Sequence, residues 1–225
     1  MTTALPKYLR GGLIASCQPV DGGAMDDASI VAAMARAAVD GGARGLRIEG
    51  LANLRAARAR TDAPIVGILK RDLPDSPVRI TPFLSDVTDL IAAGADIIAV
   101  DATARPRPQP VAELLQTIHD GGALAMADCS SLEEARTAAD MGFDLIASTL
   151  SGYTGGPVPE APDLALVREM ARLGPMVVAE GRYNTPQAAA EALRAGAGCV
   201  TVGSALTRLE VVTGWFADAL NGVAR

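Results

Sequence analysis

One unit recurs along the chain and constrains the fold more than any other feature. It is a stretch rich in Ala and Leu, then a glycine, then a short apolar run that ends in polar residues. It reads as "AARAAVDGGARGLRIEG", "LIAAGADIIAVDAT", "IHDGGALAMADCS", "AADMGFDLIASTL", "ARLGPMVVAEGR" and "LRAGAGCVTVGS". The glycine fits the position just past a helix end, where a left-handed backbone closes the last turn. The apolar runs lack period-two alternation, as strands buried on both faces do. Adding "GGLIASCQ" and "APIVGILK" gives eight strand candidates, at 12–18, 45–49, 64–70, 96–101, 123–128, 145–149, 176–180 and 199–203, each followed by a helix candidate. Strand-to-strand spacings of roughly 20 to 35 residues leave no room for a linker or second domain. The pattern predicts an α/β fold, a (β/α)8 TIM barrel of parallel strands, as one domain over residues 1–225. An open doubly wound sheet would need fewer strands or a glycine fingerprint after the first, and "CQPVDGGAMD" is not GxGxxG.

Composition narrows the partners. With 26 acidic and 20 basic residues and a net charge of −6, the chain has no basic stripe for nucleic acid or an anionic membrane, which leaves a small molecule as the expected partner. No apolar run reaches the roughly 18 to 20 residues that cross a bilayer. The opening "MTTALPKYLRGG" lacks the basic-then-apolar order of a signal peptide, so a soluble cytoplasmic protein is expected. Cys17, Cys129 and Cys199 are odd in number and far apart, which suits reduced, partly buried thiols. His119 precedes a glycine pair and reads as a charge at a helix C-terminus. With no second histidine and no CxxC, the sequence predicts no metal site and no Ser/His or Cys/His dyad. Acid–base chemistry is left to carboxylates, lysine, tyrosine and arginine.

Of the 20 basic residues only Lys7 and Lys70 are lysines, and lysine, unlike arginine, can be tuned by burial into a base or a Schiff-base amine. A barrel carries its chemistry at the carboxyl ends of its strands. Those ends here are Gln18, Arg47 with Glu49, Lys70 with Arg71 and Asp72, Asp101, Asp128, Ser151 with Tyr153, Glu180 with Arg182, and Gly203 with Ser204. Asp101 and Ser204 each also suit a helix cap, but so many ionisable groups at one rim read as a site. In "AEGRYNTP", Thr185 before Pro186 reads as an N-cap. In "VTVGSALTRLE", Gly203 and Ser204 would offer backbone N–H groups, with Arg208 one turn on. Together with Arg182 these suggest a phosphate site built from the last two loops.

Lys70 fits two mechanisms, a general base beside a carbonyl or a Schiff base, and burial and the adjacent Arg71 are both expected to lower its pKa. Alternation turns Lys70 to the barrel mouth and Arg71 outward. Asp72 is expected to tie down "LPDSPVRITP", residues 73–82, as a rim or lid. In the C-terminal helix candidate, Val211, Val212, Trp215, Phe216 and Leu220 recur at helical spacing. That stripe reads first as barrel packing and second as a surface for association.

The strings "GGLIASCQP", "RIEG", "GILKRDLPDSPVRITP", "ADIIAVDATARPRP", "MADCSS", "STLSGYT", "AEGRYNTP" and "VTVGSALTRLE" together resemble the bacterial N-acetylmannosamine-6-phosphate 2-epimerase family, from about Gly11 to Glu210. The resemblance implies conversion of N-acetylmannosamine 6-phosphate to N-acetylglucosamine 6-phosphate on a (β/α)8 fold. It also implies no metal, no nucleotide or other cofactor, and a homodimer. Carried over through the matching strings, Lys70 is the acid–base lysine and Glu180 its carboxylate partner. Arg47 and Asp128 hold the sugar end with Gln18 nearby, and Arg182, Gly203, Ser204 and Arg208 take the phosphate of the amino sugar. Three rivals remain: a Schiff-base aldolase or lyase, a metal-dependent pentose-phosphate epimerase, and a catalytically idle sugar-phosphate sensor. A divalent site for the second would want histidines, which the rim lacks.

Overall fold

The computed structural model describes residues 5–223, so Met1–Ala4 of the opening segment lie outside the described residues. Eight strands, β1 (Leu13–Cys17), β2 (Gly45–Glu49), β3 (Ile65–Ile68), β4 (Ile97–Asp101), β5 (Leu124–Asp128), β6 (Leu145–Ala147), β7 (Met176–Glu180) and β8 (Cys199–Val202), pair in chain order. All are parallel, and β8 returns to β1 to close the barrel. Helices α2 (Ala28–Asp40), α3 (Leu51–Arg58), α4 (Leu84–Ala92), α5 (Val111–Asp120), α6 (Leu132–Met141), α7 (Leu164–Met170) and α8 (Pro186–Arg194) follow the first seven strands. The expected (β/α)8 barrel is what the chain forms.

Local sequence accounts for the helix ends. At α6, Ser131 accepts from the Glu134 N–H while the Glu134 side chain accepts from the Ser131 N–H, a capping box, and Gly142 closes the helix with φ of 95°. Thr185 caps α8 by accepting from Ala188 N, with Pro186 at its first position. Gly67 on β3 has a packing reason instead, since a Cβ there would lie 2.8 Å from Ala95 Cβ and 2.9 Å from Leu54 Cδ1.

Alternation along the strands sorts side chains into two cores. Leu46, Ile48, Ile98, Val100 and Ala127 point outward into a core shared with the helices. Ile14, Val66, Ile68, Ile97, Met126, Leu145, Met176, Val178 and Cys199 fill the barrel's interior. Below them α1 (Leu5–Leu9) plugs the base with Leu9, which is 1% exposed. Above them the inward positions turn polar, and that change makes the floor of a site. All three cysteines are free and buried. Among the described residues no helix is long and apolar enough to cross a membrane.

Two expectations need correction. Strand β3 ends at Ile68, short of Lys70, because the chain leaves the ladder to pair with its own loop. Lys70 bridges antiparallel to Ile80, Arg71 N donates to Arg79 O at 2.9 Å and Thr81 N to Leu69 O at 2.7 Å. The C-terminal stripe is not barrel packing. After β8 come α9 (Ser204–Thr207) and α10 (Leu209–Val223), and α10 packs on α9 and buries none of its side chains. Phe216 is 69% and Leu220 71% exposed.

Candidate active site

The carboxyl ends of the strands surround a cavity of about 470 Å³. Arg47 and Glu180 line it from β2 and β7, and Asp128 of β5 lies fully buried against Arg47. Arg47 Nη1 donates to Asp128 Oδ1 and to Glu180 Oε2, both at 3.1 Å, and Nη2 donates to Asp128 Oδ2 at 2.6 Å. Thr149 Oγ1 also donates to Asp128 Oδ1, at 2.6 Å. One buried guanidinium therefore serves two carboxylates, and Asp128 reaches the cavity only through Arg47 and Thr149. The two carboxylates hold the Arg47 pKa above its ordinary value although burial alone opposes the charge. For Glu180 burial wins. Helped by Asp128 and opposed by Arg47, it pushes the carboxyl up to about 7.

Lys70 faces the cavity, as expected. Its pKa is lowered first by burial, with Arg47 and Arg208 pushing the same way and Glu49 opposing. Arg71 has no part in this, contrary to the sequence reading: it turns outward and its guanidinium grips Asp86 at the start of α4, at 2.6 and 3.2 Å. Asp72 does tie down the loop, pairing with Arg79 at 2.6 Å. That loop is a rim element, since Pro77, Arg79 and Ile80 line the cavity and Ser76 Oγ donates to Pro106 O at 2.6 Å. Its anchor is Thr81, fully buried with φ of 48°. A β-branched residue at positive φ costs about 1–3 kcal/mol and persists only where its surroundings hold it.

The other described non-glycine residue with positive φ is Arg182, at 64°. Its Nε donates to Ala161 O at 2.8 Å and its Nη1 to Ser151 O at 2.6 Å, and the guanidinium sits 5.3 Å from the centroid of the Tyr153 ring. The loop after β7 is thus stitched to the loop after β6. Gly203 and Ser204 line the cavity at the start of α9, and Arg208 ends that helix with Nε donating to Gln18 O at 3.0 Å. Gln18 donates from Nε2 to Ser16 Oγ at 2.7 Å. Of the rim residues read from the sequence, Gln18, Arg47, Lys70, Asp101, Tyr153, Glu180, Arg182, Gly203, Ser204 and Arg208 line one cavity. Asp128 stands behind its wall, and Glu49, Arg71, Asp72 and Ser151 do not line it.

Asp101 is not a helix cap but a buried acceptor for Thr103, Arg105 and Arg107. Sequence reading also passed over Ser16, Thr149, Thr201, Tyr183 and Arg105, all of which line the cavity. Ser16 and Thr201 lie two residues before Gln18 and Gly203, so strand alternation could have found them. Arg105 and Tyr183 lie on loops, where no periodicity applies. The Oγ1 of Thr201, the hydroxyl of Tyr183 and Nε of Arg47 are buried without a hydrogen-bond partner.

The cavity's charge runs against the chain's. Arg47, Lys70, Arg79, Arg105, Arg182 and Arg208 line it against Asp101 and Glu180, in a protein of net charge −6. Such concentration of positive charge in a cleft draws anionic small molecules. Among the described residues no group of three or more His, Cys, Asp or Glu side chains is arranged to hold a metal ion.

Comparison with known proteins gives the family and the fold. The family described as "Putative N-acetylmannosamine-6-phosphate epimerase" matches residues 31–222. A protein named "Putative N-acetylmannosamine-6-phosphate 2-epimerase" from Actinobacillus pleuropneumoniae serotype 5b is 62% identical over 212 residues, covering 94% of this chain and 93% of the relative. A protein of the same name from Haemophilus influenzae is 61% identical over 209 residues, 93% of this chain and 92% of the relative. Among solved structures, the N-acetylmannosamine-6-phosphate 2-epimerase from Clostridium perfringens superposes with a TM-score of 0.92 at 38% identity, over 95% of each chain.

The triad sets a stability test. Arg47→Met leaves Asp128 and Glu180 without their cation and is expected to cost about 3–5 kcal/mol, read as a lower denaturant midpoint at pH 8. The deficit should shrink at acid pH, where the orphaned carboxyls take up protons.

Proposed function

The chain belongs to the N-acetylmannosamine-6-phosphate epimerase family, and from that premise we propose that it interconverts N-acetylmannosamine 6-phosphate and N-acetylglucosamine 6-phosphate by inverting C2, without a metal ion, in sialic acid and amino sugar catabolism. The reaction is that of a carbohydrate epimerase, an isomerase. The observation that carries the reading is the cationic cavity, with a lysine of lowered pKa and a carboxyl of raised pKa on its walls. A phosphorylated sugar as substrate supports action in the cytoplasm, where such charged metabolites are retained.

In the open-chain sugar C2 lies beside the C1 aldehyde, so its proton can be removed if the developing enolate oxygen is stabilised. Lys70 takes that proton, since burial and neighbouring arginines leave more of the amine neutral. The enolate oxygen develops in the field of Arg47; a donor aimed at such an oxygen is worth roughly 3–4 kcal/mol. Inversion needs a proton returned at the opposite face. β3 and β7 stand across the closed ring from one another, which supports Lys70 and Glu180 serving opposite sides of the substrate. Glu180, raised to about 7, holds a proton to lend to ring opening or to return to C2. Asp128 positions Arg47 behind the wall. Gln18 orients the sugar end, and Arg182, Gly203, Ser204 and Arg208 take the phosphate. The occupant is a phosphorylated N-acetyl amino sugar, with no cofactor, nucleic acid or membrane partner.

The active form is a homodimer. Its support is α10, which leaves Leu209, Phe216, Leu220 and Val223 between 61% and 83% exposed on one 15-residue helix. Apolar exposure of this kind on a single element marks an association surface.

Three measurements test these readings. Proton NMR in D2O with N-acetylmannosamine 6-phosphate, in the presence of a chelator, is expected to yield the gluco epimer with deuterium at C2. Lys70→Met should lose that exchange by about 100-fold or more while unfolding no earlier than wild type, because an ammonium with a lowered pKa costs the fold stability. Absence of epimer and exchange with folded wild type would sink the reading. With Glu180 as proton donor, kcat/KM should fall as pH rises through about 7, and Glu180→Gln should lack that limb. Its stability contribution has the same direction, complete below the ordinary value of 4.5 and lost as pH rises to about 7. Sedimentation of the wild type should give a dimer and Phe216→Glu a monomer; a wild-type monomer contradicts the assignment.

A further inference from the structure

The cavity has one polar wall that the proton-transfer chemistry leaves unused, the loop after β4. Asp101, 1% exposed, gathers this loop. Its Oδ1 accepts from Thr103 N at 3.0 Å, Thr103 Oγ1 at 2.6 Å and Arg107 Nη2 at 3.3 Å, and its Oδ2 accepts from Arg105 Nη2 at 2.5 Å. Arg105 Nε donates to Thr103 Oγ1 at 2.9 Å. Arg107 locks the turn by donating to the carbonyls of Asp101 and Thr103. The Arg105 guanidinium is thus anchored along one edge. Its Nη1 has no hydrogen-bond partner among the described residues, on a side chain that lines the cavity and is 24% exposed.

On the epimerase reading, we infer that Arg105 presents Nη1 to the carbonyl oxygen of the N-acyl group on C2, and that this contact makes the site select N-acylated over free amino sugars. In a closed ring of eight strands β4 stands across from β8. The phosphate belongs to Gly203, Ser204 and Arg208 beyond β8, so the far end of the carbon chain, with C2 and its substituent, points toward β4. An amide oxygen there accepts from a donor whose geometry is set before binding, so little order is lost on contact. An ammonium in its place offers no acceptor and meets a wall where two arginines outnumber one aspartate. Selection therefore works by attraction and by repulsion together. Arg79 is the other cation on this side, but it is half exposed and pairs with an Asp72 that is 83% exposed, so its guanidinium is held less firmly than that of Arg105 on buried Asp101.

The test compares binding of N-acetylglucosamine 6-phosphate and glucosamine 6-phosphate by calorimetry, alongside epimerase kinetics. Wild type should prefer the N-acetyl ligand. Arg105→Ala should weaken that ligand roughly 10- to 100-fold, leave glucosamine 6-phosphate unchanged or tighter, and raise KM more than it lowers kcat. Arg105→Met, similar in reach, should behave alike, and its thermal unfolding checks that the loop still folds. An unchanged preference in both variants, or equal weakening of both ligands, overturns the inference while the epimerase reading stands. A folded wild type that neither binds nor epimerises its N-acetyl sugar phosphate overturns that reading, and this inference with it.

Discussion

Everything in this molecule rests on the ladder between its last and first strands. Leu13 to Ala15 of β1 pair with Val200 to Val202 of β8, and the seam continues below, where Gly11 N donates to Gly198 O at 2.6 Å. Above it, Thr207 Oγ1 donates to Ser16 O at 2.7 Å and Arg208 Nε to Gln18 O at 3.0 Å. Closure removes the two strand edges an open sheet would leave. It also turns eight separate strand ends into one ring, so that residues 18 and 208, distant in the chain, line the same cavity.

Within that ring the interior passes from apolar to polar or charged residues, as from Val178 to Glu180 on β7 and from Ile14 to Ser16 on β1. The transition is held by Arg47, whose guanidinium is divided between Asp128 and Glu180. A buried cation shared by two carboxylates is a poor stabiliser compared with packed hydrocarbon, so its presence is better explained by chemistry. Burial drives Lys70 down and Glu180 up. The same desolvation thus moves the two groups in opposite senses, the amine toward its neutral form and the carboxyl toward its protonated form, a pattern by which one environment can equip both halves of a proton transfer.

The parts of this arrangement that the sequence disclosed were those with a period or a punctuation mark. Gly142 closes a helix in the left-handed region, and the runs after such glycines are the strands, so strand ends and most site residues could be counted off. Contacts between loops carry no such signal. Arg71 was expected to act on Lys70 because it is its neighbour in the chain, yet Asp86 draws it away, and Arg208, 138 positions later, acts instead. The C-terminal stripe obeyed helical spacing but could not disclose that α10 stands on α9 rather than on the barrel.

By itself, then, the sequence determined the barrel and the polar rim at its strand ends, with Lys70 and Glu180 on it. These follow from burial patterns and backbone preferences that act within a few residues. Only the tertiary structure decided that Asp128 stands behind Arg47, that Thr81 and Arg182 are held in strained backbone at the rim, and that Asp101 anchors Arg105 toward the cavity. Asp128 and Arg47 meet because closure of the ring brings β5 and β2 to one interior, and the rim residues are set by contacts within and between loops, which leave no period in the sequence.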